Sequence, residues 1–257
     1  MRRMRTVLVT GAARRLGAVI ARHLAGPVCA GGAWRVAIHH LHSGDDAAAL
    51  SADLPGSIVL SGDLADAETP MALVAAARGG FAAPLMAVVN SASLFEYDTP
   101  PALTAASLER HHAVNLAAPV LLASALAAQD DLAEGAVVNI LDQKLANPNP
   151  DFFSYSCAKF ALGGATTMLA QALGPRIRVN AVSPGLSLPS ADQTEAEFAE
   201  AASKNLLRRP VDPQDIARAV AFLLGARGVQ GQDLFVDCGQ RFLPRTRDVM
   251  FESRAGA

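Results

Sequence analysis

The sequence predicts an α/β fold of the Rossmann type, a doubly wound, seven-stranded, mostly parallel sheet with helices on both faces. Two observations predict it. Short apolar runs rich in β-branched residues alternate with longer stretches of helical spacing. The first run, Thr6 to Thr10, leads into the glycine turn GAARRLG and then a helical stretch that stops at Gly26. A strand, a glycine turn and a helix in that order make a phosphate-binding entry, because the helix start offers unpaired N–H groups to an anion.

The remaining elements follow in order. Trp34 to His40 reads as the second strand, DDAAALSADL as its helix, and SIVLSGDL as the third strand, ending at Asp63. TPMALVAAARGG is helical, and APLMAVVNSAS carries a fourth strand that stops at Asn90. Leu103 to Gln129 reads as one long apolar helix with Asn115 in its middle. GAVVNILD is the fifth strand, ending at Asp142, and Tyr155 to Leu173 is helical. RIRVNAVSPG and DLFVDCG supply the sixth and seventh strands. Ligands of such sheets lie outside the carboxyl ends of the strands. Those ends carry Gly11 to Gly17, His40, Asp63, Asn90, Asp142 and Pro184.

Composition bounds the partners. The 257 residues are 51% hydrophobic and 18% charged, which suits a single globular domain spanning residues 1–257. A net charge of −2 gives no electrostatic case for nucleic acid. No apolar run is long enough to span a bilayer, and the basic start lacks a signal-peptide core, so the expected location is cytoplasmic. Cys29, Cys157 and Cys238 suit neither a disulfide framework nor a metal site, and His39, His40 and His42 lack an acid or Cys partner at ligand spacing. No metal is expected.

Tyr155 and Lys159 share a helix face if a helix starts near Tyr155. A neighbouring ammonium favours the phenolate, so the spacing predicts a phenol of lowered pKa, able to give a proton to a substrate being reduced. Arg14 and Arg15 place two guanidinium groups beside the glycine turn, and a guanidinium matches phosphate as a fork. An NAD enzyme places an acid at the end of the second strand. Here no acid follows before Asp45, while His40, His42 and Ser43 can donate to a 2′-phosphate, so NADP(H) is favoured over NAD(H).

Thr10-Gly-Ala-Ala-Arg-Arg-Leu-Gly17, Asn90-Ser-Ala-Ser93, Asn115, Tyr155-x-x-x-Lys159 and Pro184-Gly185 together resemble the short-chain dehydrogenase/reductase superfamily, in the right order over essentially the whole chain. The details look most like its pteridine reductase branch. Arg15 stands where the wider superfamily has a second glycine, and Asp142 stands thirteen positions before Tyr155 where it has a serine. Phe95 and the Pro184 to Ser187 segment PGLS also match.

The resemblance implies roles. Gly11, Leu16, Gly17, Asp63, Leu64, Asn90, Ala92, Pro184, Gly185 and Ser187 would face the cofactor, with Asp63 on the adenine. Ser93 would reach both cofactor and substrate, and Arg15 and Phe95 the substrate, Phe95 by stacking on its ring. Asn115 would hold a water that relays protons to Lys159. Lys159 would hold the ribose, and Asp142 with Tyr155 would supply the proton. An ionised Asp142 can only accept, so it suits a substrate with N–H donors better than a ketone. Lys144 either pairs with Asp142 and lowers its pKa or is solvated. The segment from Leu188 to Pro210 reads as a mobile lid, and Glu96, Tyr97 and Asp98 as possible pocket residues. The tail from Arg245 either completes a neighbour's pocket or is frayed.

The expected function is an NADPH-dependent reductase of a pterin or similar conjugated cyclic imine. The alternatives are a carbonyl reductase or alcohol dehydrogenase of a small ketone, and an NADP-binding sensor without turnover. The Tyr155–Lys159 pair argues against the sensor, since binding alone needs no acid. The resemblance further implies a homotetramer.

Overall fold

The computed structural model describes residues 5–27, 32–190 and 193–252. Seven strands form one sheet in the order β3-β2-β1-β4-β5-β6-β7, every neighbouring pair parallel. They are β1 (Arg5–Val9), β2 (Trp34–His40), β3 (Ile58–Ser61), β4 (Ala87–Asn90), β5 (Gly135–Ile140), β6 (Ile177–Pro184) and β7 (Asp233–Val236). The strand order reverses between β1 and β4, which opens a crevice beyond their carboxyl ends.

Alternate strand residues feed two cores. Val7 and Val9 face a layer built by α1 (Arg15–Ala25), α2 (Gly44–Asp53) and α8 (Pro213–Gly225), where they cluster with Ile20, Leu50 and Ile216. Leu8 and Val88 face the opposite layer, where α3 (Thr69–Phe81) contributes Leu73 and α5 (Ala118–Ala127) contributes Leu122. Strands buried on both sides need continuous apolar runs, which is why VLV and AVV read so plainly as strands. Helix α8 lies between the expected lid and β7; Asp212 caps it by accepting from the Gln214 N–H at 2.8 Å.

The expected long helix is interrupted. Helix α4 (Ala105–His112) passes through a π-helical turn at Ala113–Ala117 before α5 begins. Asn115 sits in that wide turn. Further on, α6 (Phe153–Leu173) carries Tyr155 and Lys159, α7 (Glu195–Ser203) follows β6, and the short α9 (Val249–Glu252) packs on α7. Thr194 and Glu197 make a reciprocal capping box at the start of α7. Among the described residues no helix is long and apolar enough to cross a membrane. Cys29 lies outside the described residues.

Candidate active site

A cleft of about 710 Å³ opens at the carboxyl edge of the sheet, within the range of small-molecule sites. The glycine turn forms one end. Gly11 has φ +63°, and a Cβ there would lie 2.9 Å from Ala92 Cα, so the loops after β1 and β4 touch through bare backbone. At Gly17 a Cβ would meet the Gly11 carbonyl oxygen at 2.2 Å. Thr10 ties the loops together, its hydroxyl accepting from the Ser91 and Ala92 N–H groups at 3.0 Å each. Helix α1 begins here with no side-chain cap and no acid in its first turn. Its first residues, Arg15, Leu16 and Gly17, line the cleft. An uncapped helix start beside two arginines fits an anionic phosphate group.

The buried His39, absent from the expected site, organises this end. Its Nδ1 accepts from the Gly11 N–H at 3.2 Å and its Nε2 meets the Gly62 carbonyl at 3.0 Å. Those partners require the neutral Nε2–H tautomer. Burial holds its pKa below the usual histidine value. His39 and Leu41 line the cleft, whereas the expected His40, His42 and Ser43 do not. Strand alternation sends residues 39 and 40 to opposite faces, and His42 and Ser43 lie past the end of β2. Arg14 also lines the cleft and pairs with Asp46 on α2. Asp63 and Leu64 lie along the same wall, and Asp63 also accepts from the Ala65 N–H at 2.9 Å, a local turn rather than a helix cap.

Asn90, expected at the cofactor, and Asn115, expected to hold a proton-relaying water, are both buried and neither lines the cleft. Asn90 is buried below the cleft floor and donates to Asn139 at 2.7 Å; Asn139 in turn donates to Thr166. Asn115 is fully buried, and both ends of its amide are spent on Leu94, accepting from N–H at 2.9 Å and donating to C=O at 2.8 Å. It fixes the loop after β4, including Ser93, whose hydroxyl donates to it at 3.2 Å. Ala92 and Ser93 do line the cleft, as do Pro184, Gly185 and Ser187 on the facing segment. Arg15, at φ +53°, reaches across to donate to the Pro189 carbonyl at 2.7 Å.

The reactive end is built around Asp142, just past β5. Tyr155 Oη donates to Asp142 Oδ2 at 2.7 Å, and the Lys144 N–H donates to Asp142 Oδ1 at 2.8 Å. Burial raises the Asp142 pKa, against the pull of those hydrogen bonds. Burial, then the Asp142 charge, pushes the Tyr155 phenol well above its ordinary range. This corrects the expectation of a phenol acidified by Lys159. The Lys159 ammonium lies 5.6 Å from the Tyr155 ring centre and donates to the Ile140 carbonyl at 2.7 Å. Burial lowers the Lys159 pKa to about 8.

Aromatic rings flank the pair. Phe95 meets Tyr155 edge-on at 4.7 Å, and one of its faces is covered by Phe152 at 4.1 Å and 13°. Phe95 lines the cleft and remains 43% exposed, so only its other face is left for a ligand. Glu96, Tyr97 and Asp98 are not pocket residues. Glu96 pairs with Arg110, Tyr97 donates to Asp151, and Asp98 accepts the Ser154 N–H at the start of α6. Lys144 bonds Asp248, whose segment walls this chain's own cleft through Asp248 and Met250.

A parallel sheet with an uncapped phosphate-type helix start, and a buried Tyr–Asp–Lys group across the same cleft, define a dinucleotide-dependent oxidoreductase. Comparison with known proteins gives the family. A family model described as Enoyl-(Acyl carrier protein) reductase, of the short-chain dehydrogenase/reductase type, matches residues 11–241. The chain belongs to the short-chain dehydrogenase/reductase family and matches its pteridine reductase-like branch. The structure of FolM alternative dihydrofolate reductase 1 from Brucella canis complexed with NADP is similar, with TM-score 0.85 and 38% identity over 95% of this chain and 97% of that one. D-erythrulose reductase of Gallus gallus is 30% identical over 92% of this chain and 96% of its own length. Dihydromonapterin reductase of Klebsiella pneumoniae is 25% identical over the same shares, 92% and 96%.

Proposed function

We propose that this reductase uses NADPH to reduce a pterin-like conjugated ring. The observation that carries the reading is the 2.7 Å hydrogen bond from Tyr155 to Asp142 at the wall of the cleft. A carboxylate in that place accepts N–H donors and repels the charge that grows on a reduced ketone. A ring with N–H groups and a basic nitrogen suits it. NADPH supplies the hydride when bound. Tyr155 and Asp142 hold one shared proton for the ring nitrogen. Phe95 offers its uncovered face to the ring, and Lys159 carries positive charge beneath the pair.

Arg14, with the uncapped start of α1, supports phosphate binding, and the lack of an acid between His40 and Asp45 supports NADPH over NADH. The similar Brucella protein complexed with NADP points the same way. The test is NADPH and NADH consumption with dihydrobiopterin, dihydrofolate and a panel of ketones. Turnover of the pterins with NADPH is expected. Turnover of ketones alone would favour a carbonyl reductase instead, a reading that the likeness to D-erythrulose reductase keeps in view.

A further inference from the structure

Lys144 is nearly buried, yet neither the family motifs nor the proton path above uses its side chain. Its Nζ donates to the Asp151 carbonyl at 2.8 Å and to Asp248 Oδ2 at 3.1 Å. Its side chain is 4% exposed and that of Asp248 15%. The same residue's backbone N–H holds Asp142 at 2.8 Å. One residue therefore grips Asp142 with its main chain and the C-terminal segment with its side chain.

The grip is reinforced on every side. Asp151 Oδ2 accepts from the Asp248 N–H at 2.7 Å and also faces Arg247 at 3.5 Å. Asn147 donates to the Leu243 carbonyl at 2.7 Å. Phe251 stacks over Phe152 at 6.1 Å and 14°. Arg245 donates to the Lys204 carbonyl at 2.9 Å, which joins the segment to the end of α7. A near-buried ion pair is a costly way to fix a tail, because both charges lose water. Apolar packing alone would serve if adhesion were the only need. The pair places a charge of each sign beside Asp142.

We propose that residues 245–252 form the substrate-side wall of this chain's own cleft, latched by the Lys144–Asp248 pair. Lys144 is a positioning residue acting through Asp142, and Asp248 and Met250 are substrate-facing. The proposal rests on the reading of Asp142 and Tyr155 as the proton-supplying pair. Charged groups facing Asp142 come from three places: Tyr155 and Lys159 on α6, Lys144 beside it, and Asp248 on the C-terminal segment. Lys144 pulls the Asp142 pKa down, and Asp248 pushes it up.

The test compares Lys144→Met, Asp248→Asn and the double variant. Trypsin cleavage after Arg245 and Arg247 is followed without substrate, as a measure of local opening. The kcat and KM are then measured across pH with NADPH and whichever ring or ketone the wild type turns over. Each single variant is expected to be cut about tenfold faster than its change in global stability accounts for, and to raise substrate KM about tenfold while leaving the NADPH KM alone. The acidic limb of kcat/KM should move up in pH for Lys144→Met and down for Asp248→Asn. The double variant should return it towards wild type, since opposite charges leave together. A purely structural role would not move the limbs in opposite directions. Unchanged cleavage, an equal rise in the NADPH KM, or limbs that move together would overturn the proposal. If Lys144→Met does not fold, the near-isosteric Asp248→Asn carries the test. If only ketones turn over, the ring reading fails while the same measurements still decide the latch.

Discussion

Tyr155 Oη donates to Asp142 Oδ2 at 2.7 Å, and both groups are held above their ordinary pKa by burial. The phenol proton lies in this hydrogen bond, and burial makes the phenolate costly to form. Removing the phenol with Tyr155→Phe is expected to lower kcat about 100-fold or more, the usual scale for a lost general acid. NADPH affinity should change little. A variant with unchanged kcat would remove Tyr155 from the proton path.

Asp142→Ser makes the opposite kind of change. A hydroxyl can donate to a growing ketone oxygen, whereas the carboxylate cannot. The ratio of ketone to pterin kcat/KM is expected to rise about tenfold or more, which a two-substrate comparison would read. A ratio that stays level would show that Asp142 does not select the substrate.

Lys159 titrates at about 8 in the folded chain against an ordinary 10.5. The folded state therefore releases this proton first. The cost of burying the ammonium is full below pH 8, and stability is regained as pH rises from about 8 towards 10.5. The stability of wild type relative to Lys159→Met should rise by roughly 3 kcal/mol over that window, from about 1.4 kcal/mol per unit. Chemical denaturation at several pH values measures it. Over the same window kcat/KM should fall, as the charge beneath the Tyr155–Asp142 pair disappears.

How much of this was legible in the sequence follows from what each signal encodes. VLV before a glycine turn, and Tyr155 four before Lys159, are local patterns, and local patterns fix a strand end or a helix face. The Asp142–Tyr155 contact was readable only because a family spacing joined two elements. What stayed hidden was burial and long-range partnership. Asn90 and Asn115 sit in motif positions, yet their side chains serve Asn139 and Leu94. The histidines at 39 and 40 look alike in sequence, and strand alternation alone decides which one reaches Gly11. Lys144 finds its partner 104 residues away, a distance no spacing rule spans.

Arg14 bears on the choice between NADPH and NADH. It lines the cleft, remains well exposed, and pairs with Asp46 on α2. An exposed pair of this kind is worth little in stability, so Arg14 can be recruited by a ligand phosphate at small cost. Arg14→Ala should reduce the preference for NADPH over NADH about tenfold while leaving the melting temperature nearly unchanged. Raising the salt concentration should weaken wild-type NADPH binding more than that of the variant. An undiminished preference would move 2′-phosphate recognition elsewhere.

His39 makes the last prediction separable from the others, because it touches the glycine turn and no reacting group. Its neutral ring joins the Gly11 N–H to the Gly62 carbonyl. His39→Leu keeps a buried apolar body and leaves both backbone groups without that partner. A part-buried N–H left without a partner costs up to about 1–3 kcal/mol, enough to loosen the turn. NADPH should then bind roughly tenfold more weakly, with kcat at saturating cofactor nearly intact. If kcat falls and binding does not, His39 acts on the chemistry rather than on the turn, and the account of this end of the cleft is wrong.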